Sequence, residues 1–227
     1  MSRKRYFFVP YKGKKYETGL LKGKKVMVLG ASYYCKFKDC QFFNACTGQW
    51  KTKDFDAKCP NNGGRPLHDL PKNEIDEDGA KSYKVFYKFM QNYLSDKIKV
   101  TSFDDFWDNI AFTNYIQHII GGRTTTQTGD MSENDLDALG DVIRELKPDI
   151  VIIWGCVVDK PVKQKKCDAD DNQFENDYDG EGSSQYLFHW TIDNRKVTFV
   201  SFYHPSSSYF LRDKSNMKHY LDVAFKE

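Results

Sequence analysis

Three short polar segments of this chain could do chemistry. His204-Pro205-Ser206-Ser207-Ser208 sets an imidazole, the side chain that titrates nearest neutral pH, beside three hydroxyls. Thr113-Asn114 supplies an amide, which offers a hydrogen-bond donor and an acceptor together. Gly30-Ala31-Ser32 pairs a permissive turn residue with a hydroxyl. Each has an ordinary structural reading beside the functional one: a strand-end cap for His204, a turn residue for Asn114. Four cysteines form a second group. Cys35, Cys40, Cys46 and Cys59 are separated by four, five and twelve residues, with no Cys-x-x-Cys pair. That is not zinc-finger spacing. Four thiols in a turn-rich stretch with little apolar content read either as a structural zinc site, with an iron–sulfur cluster second, or as buried thiols. His68 is a spare ligand, and Cys156 and Cys167 read as ordinary.

The elements that must position these groups follow from hydrophobic period. Lys24–Gly30 reads as a buried strand ending in a glycine turn, and Ile150–Gly155 as a strand covered on both faces. Ile110–Ile116 is a further strand. Tyr186–Ile192 and Lys196–Phe202 flank Asp193-Asn194-Arg195 as a hairpin, and the second arm delivers His204. Apolar residues at helical spacing mark Ser82–Leu94, a helix capped by Ser132 and stopped by Lys147-Pro148-Asp149, and Asp213–Phe225. Ser102 opens a short helix through Trp107. Strands alternating with helices predict a single α/β domain over 1–227, a three-layer α/β/α sandwich with a mainly parallel central sheet. Ligands sit at the carboxyl ends of the strands in such sheets, and the three polar segments stand at predicted strand ends.

Composition sets the class. The 227 residues are 40% hydrophobic and 29% charged, which excludes a disordered or collagen-like chain. No apolar run approaches the roughly 20 residues of a transmembrane helix. The run Tyr6–Val9 is too short for a signal-peptide core, so a soluble, cytoplasmic protein without a membrane partner is expected. Residues 1–60 carry 14 Lys+Arg against 4 Asp+Glu, and the rest carry 20 against 28. Residues 1–23 form a basic arm in which Lys12-Gly13-Lys14-Lys15, beside Tyr11 and Tyr16, would either follow a phosphate backbone or stay solvated. Residues 35–71 form a Cys-bearing insertion. Residues 159–185 form a loop whose acidic stretch, 168–181, reads as a surface insertion. Aromatic residues reach 15%, more than a core requires, which suits a protein that stacks bases.

In order and rough spacing, four segments resemble the uracil-DNA glycosylase superfamily: Gly30-Ala31-Ser32-Tyr33-Tyr34-Cys35, Phe112-Thr113-Asn114-Tyr115, Ile150–Gly155 and His204-Pro205-Ser206-Ser207-Ser208. The resemblance spans about residues 24 to 211 and a bacterial branch with a Tyr-Cys pair after the first strand. It implies a monofunctional hydrolase that flips uracil or another modified pyrimidine out of DNA and cleaves its N-glycosidic bond, with no cofactor required for catalysis. His204 would donate to a base carbonyl oxygen as charge develops, if its other nitrogen is tied to a backbone acceptor. Asn114 would read the Watson–Crick edge, and Tyr34 would screen the pyrimidine C5 position. Phe42 and Phe43 are candidates to stack on the base. Ser206, Ser207 and Ser208 suit phosphate contacts, Tyr209 or Phe210 a wedge in the vacated stack, and Arg123 in Gly121–Thr126 another phosphate contact or an ordinary loop.

The chain departs from the superfamily at Ser32, where a water-positioning Asp or Asn is expected. A serine can hold a water but is no base near neutral pH. Asp39 or Asp105 could supply a carboxylate from another element. Some members carry an iron–sulfur cluster on four cysteines, at a spacing unlike this one. The alternatives to a glycosylase are a non-catalytic nucleic-acid or nucleotide-binding module on the same fold, and a metal-stabilised interaction protein.

Overall fold

Four apolar runs pair side by side at the centre of a six-stranded sheet. The computed structural model describes residues 5–48, 58–60, 64–75, 81–164 and 186–226. Its strands are β1 (Tyr11–Lys12), β2 (Val26–Gly30), β3 (Tyr33–Cys35), β4 (Lys58–Cys59), β5 (Arg65–Pro66), β6 (Ile110–Asn114), β7 (Ile119–Gly121), β8 (Ile150–Trp154), β9 (Tyr186–Ile192) and β10 (Arg195–Phe202). Its helices are α1 (Phe43–Cys46), α2 (Leu70–Glu74), α3 (Lys81–Leu94), α4 (Phe103–Trp107), α5 (Glu133–Leu146), α6 (Cys156–Gln164), α7 (Ser208–Arg212) and α8 (Lys214–Lys226). The large sheet has the order β1-β6-β2-β8-β10-β9. The four inner strands are mutually parallel, and β1 and β9 close the edges antiparallel. The protein is therefore a mixed α/β fold around a mostly parallel sheet.

Alternation along each inner strand feeds two cores. Val26, Val28, Ile110, Phe112, Ile150, Ile152 and Trp154 join Tyr83, Phe86, Phe89 and Met90 of α3 and Met217 and Leu221 of α8. Met27, Leu29, Ala111, Val151 and Ile153 join Leu136, Leu139, Val142 and Ile143 of α5 and Val158 and Val162 of α6. Covering on both sides explains why all five residues of β2, β6 and β8 are buried.

The punctuation follows local chemistry. Ser132 caps α5 in a reciprocal box with Asp135, and Lys147 ends it in the left-handed conformation at φ 51°. Asp193 and Asn194 turn the β9–β10 hairpin at φ 49° and 58°. β6 stops at Asn114, two residues short of the expected strand, and the chain turns into β7, which pairs with β3 beside the large sheet.

The basic arm is part of the sheet edge rather than a free tail. Tyr11 and Lys12 pair with Phe112 and Ala111 as the sheet edge, and Tyr16 is fully buried. Antiparallel pairing carries Lys14 and Lys15 toward the amino end of β6. There they meet Asp108 at 3.9 Å and Asp105 at 2.8 Å, while Lys12 pairs with Glu17 at 2.5 Å. Arg5 binds Asp137 at 2.9 Å and Asp141 at 3.1 Å. Acids of the fold thus pair with part of the positive charge. The acidic stretch 168–181, Cys167 and residues 1–4 lie outside the described residues. No helix among the described residues is long and apolar enough to cross a membrane.

Candidate functional site

The carboxyl ends of the parallel strands open into a cavity of about 620 Å³. Gly30 ends β2, Asn114 ends β6, Trp154 ends β8, and His204 follows β10 by two residues; all four line this cavity. Gly30 pairs with Asn114, and Phe202 with Trp154, at the last register positions. Parallel alignment therefore brings distant segments of chain to one rim.

At the β10 end, the backbone N–H of Ser206 donates to His204 Nδ1 at 3.2 Å, and Ser206 Oγ lies 2.7 Å from the same nitrogen. A backbone N–H can only donate, so Nδ1 accepts and the neutral ring carries its proton on Nε2. The sequence reading asked for a backbone acceptor. The structure supplies a backbone donor instead, and only that arrangement leaves Nε2–H to donate in a neutral ring. Burial holds the His204 pKa below its ordinary value, which favours the neutral ring. The ring meets Trp154 edge-on at 6.0 Å, and Gly155, at φ 98°, lets the chain turn beneath it.

Asn114 is 4% exposed, and its carboxamide has no hydrogen-bond partner among the described residues. Its position depends on Gly30: a Cβ there would stand 2.1 Å from Asn114 Oδ1. Gln117 fixes the turn that follows. Its Nε2 donates to the Asn114 carbonyl at 2.8 Å, and its Oε1 accepts from the N–H groups of Phe7 and Phe8 at 2.9 and 3.0 Å. Buried Asp135 accepts the Gln117 N–H at 2.9 Å.

Ser32 and Tyr34 line the same cavity, and both hydroxyls lie 2.6 Å from Thr126 Oγ1. The cavity lining also contains a carboxylate that the sequence reading missed. Glu74 ends α2, lines the cavity, and accepts from the Tyr83 hydroxyl at 3.3 Å. Burial pushes its pKa up to about 7, against the opposing hydrogen bond from Tyr83. No salt bridge reaches Glu74 among the described residues. The two expected alternatives lie elsewhere. Asp105 accepts the Thr101 N–H at 3.0 Å and pairs with Lys15, and Asp39 does not line the cavity. Two further donors in residues lining the cavity, Tyr33 Oη and Trp154 Nε1, are sealed from solvent without a partner.

Other expected residues stand apart. Phe42 precedes α1 outside the cavity, and Phe43 lines a separate cleft of about 340 Å³ with His118, Gly121 and Arg123. The rings that line the main cavity are Tyr33, Tyr34, Tyr83, Phe112 and Trp154. Arg123 is held by Asp130 and donates to the Thr125 carbonyl at 2.9 Å. Ser206 lines the cavity, Ser207 accepts the Tyr209 N–H at 3.2 Å as the cap of α7, and Ser208 is exposed. Tyr209 is 58% exposed and stacks on Tyr203, whereas Phe210 is fully buried in the core and cannot act as a wedge. Leu211, which the sequence reading passed over, is as exposed as Tyr209.

The four cysteines stand as thiols. Cys35, Cys46 and Cys59 pack with Phe8, Tyr33, Leu67 and Ile119 in a third, smaller core. Cys46 is buried, and its pKa is pushed up to about 11 by that burial and then by the neighbouring thiols Cys35, Cys59 and Cys40. Among the described residues, no group of three or more His, Cys, Asp or Glu is arranged to hold a metal ion.

No protein-family model matches the chain, and no curated protein matches it.

Proposed function

We propose that the chain is a DNA glycosylase-like hydrolase that cleaves the N-glycosidic bond of uracil or another modified pyrimidine, on a three-layer α/β/α sandwich of uracil-DNA glycosylase type. One observation carries the reading: the unpartnered Asn114 carboxamide and His204, whose Nδ1 accepts from the Ser206 N–H, line the same cavity. Its volume falls in the usual range for a small-ligand site.

On this reading a flipped pyrimidine enters between the aromatic walls. The Asn114 amide pairs with adjacent N–H and C=O groups on its Watson–Crick edge. As the bond to the sugar lengthens, negative charge builds on the base, and His204 Nε2–H donates to a carbonyl oxygen. The ring is neutral beforehand, so the hydrogen bond strengthens as the base becomes an anion. Tyr34, tied to Thr126, screens the C5 side. Tyr209 and Leu211, exposed on α7 just after the His204 loop, would enter the stack that the base vacates.

The test is a panel of single- and double-stranded oligonucleotides carrying uracil or modified pyrimidines, scored for abasic sites. The expected result is base release that falls by about 10² to 10³-fold in His204→Ala. Ser32 favours a second reading, a non-catalytic nucleic-acid-binding module, because no carboxylate stands at the usual water-positioning site. Salt-dependent binding of the same oligonucleotides without base release across the panel would select it.

A further inference from the structure

We infer that Glu74 supplies the carboxylate that Ser32 lacks: it orients the attacking water and takes its proton. This rests on the glycosylase reading and assigns a catalytic residue to it. Glu74 comes from the short helix α2, far along the chain from the Ser32 turn, yet both line one cavity with Asn114 and His204.

Three observations carry the inference. The carboxylate faces a cavity that can admit a sugar and a water, and no cation neutralises it among the described residues. Among the described residues its hydrogen-bond partner is the Tyr83 hydroxyl, which leaves the other carboxylate oxygen able to accept from a water. The buried Tyr33 hydroxyl, in the same wall, has no partner. The titratable groups of that cavity wall are Tyr83 of α3, Tyr33 and Tyr34 of β3, Lys36 just beyond it, and His204. Raising the carboxyl to about 7 keeps it a useful base at neutral pH, where an ordinary glutamate would be a weak one.

The bond from the anomeric carbon to the base nitrogen breaks, and its electron pair leaves on the base as an anion held by His204. The water oxygen forms a bond to the anomeric carbon, and the water's proton passes to the Glu74 carboxylate. The base anion is protonated by solvent. Until the water adds, the negative carboxylate also supports the positive charge on the sugar.

The experiment measures single-turnover base release from a uracil oligonucleotide between pH 5 and 9, for the wild type, Glu74→Gln and Glu74→Asp. Binding of the oligonucleotide is measured alongside. The wild-type rate should rise with pH through an inflection near the Glu74 value. Glu74→Gln should lose about 10² to 10³-fold in rate and lose the inflection, with binding within about threefold. Glu74→Asp, which keeps the charge but withdraws it by one methylene, should recover part of the rate and restore the inflection. A Glu74→Gln variant that matches a cleaving wild type, or keeps its inflection, overturns this inference alone. A wild type that releases no base overturns the glycosylase reading and this inference together.

Discussion

Replacing Gly30 with alanine tests whether the placement of Asn114 matters. The added methyl would stand 2.1 Å from Asn114 Oδ1, 3.1 Å from Phe112 Cζ and 3.3 Å from Asn114 Cγ. The Phe112 ring is 1% exposed and locked among Tyr83, Trp107 and Trp154, so it cannot give way. The carboxamide is the free end of a side chain and must swing. Reaching ordinary van der Waals separation requires a displacement of about 1 Å. A misplacement of that size costs a positioned reaction about 10²-fold, or close to 3 kcal/mol of transition-state stabilisation. Fold stability should fall by only about 1 kcal/mol, the low end for an added methyl, because a side-chain tip absorbs the clash. The assay is single-turnover base release together with thermal melting, for Gly30→Ala, Asn114→Ala and the double variant. Both single variants should be slow, and the double no slower than Asn114→Ala, since both changes disable one group. Full activity in Gly30→Ala beside an inactive Asn114→Ala would refute the reasoning.

Glu74 also links stability to pH. Its native pKa is raised from 4.5 to about 7, so the folded state keeps a proton that the unfolded state has lost. The stability present below pH 4.5 is lost as pH rises to 7, a difference of about 3 kcal/mol. Glu74→Gln, uncharged throughout, should melt about 5 °C or more above the wild type at pH 8 and close to it at pH 4.5, if heat unfolding is reversible. Gln117→Ala strips acceptors from the Phe7 and Phe8 N–H groups and a donor from the Asn114 carbonyl; it should cost about 3 kcal/mol by denaturant melt. Cys46, buried and with its thiol pushed up to about 11, should resist iodoacetamide at pH 8 until denaturant is added, as read by peptide mass.

What was legible in the sequence tracks what is local. β2 and β8 were readable because a strand covered on both faces must be apolar throughout, and the α5 limits because Ser132 and Lys147-Pro148 are chemical punctuation. Asn114 and His204 were readable because a polar residue ending an apolar strand stands out. The place of Phe42 and Phe43 was not legible, because an aromatic pair looks alike in a cleft, a core or a site. The pairing of the basic arm was not legible for the same kind of reason. Its lysines are locally concentrated, but the acids that pair with Lys14 and Lys15, Asp108 and Asp105, come from elsewhere in the chain and meet them only through the β1–β6 edge.

Glu74 was beyond any such signal, and the reason bears on how the site is built. It closes a five-residue helix begun by Leu70-Pro71, with no spacing that ties it to Ser32 or His204. The packing of its own helix against β1 and β6, of Ile75 on the core and of Tyr83 beside it carries Glu74 to the cavity wall. Electrostatic support for a cationic sugar depends on where a negative charge sits and how dry its surroundings are, not on which strand delivers it. A serine at the end of β2 is therefore no obstacle to the proposed chemistry, provided a desolvated carboxylate reaches the same space from another direction. Burial in the cavity wall supplies that desolvation. It raises the proton affinity of Glu74 to the range where a base works at neutral pH, against the opposing Tyr83 hydrogen bond, and costs the fold the stability that the Glu74→Gln melt should recover.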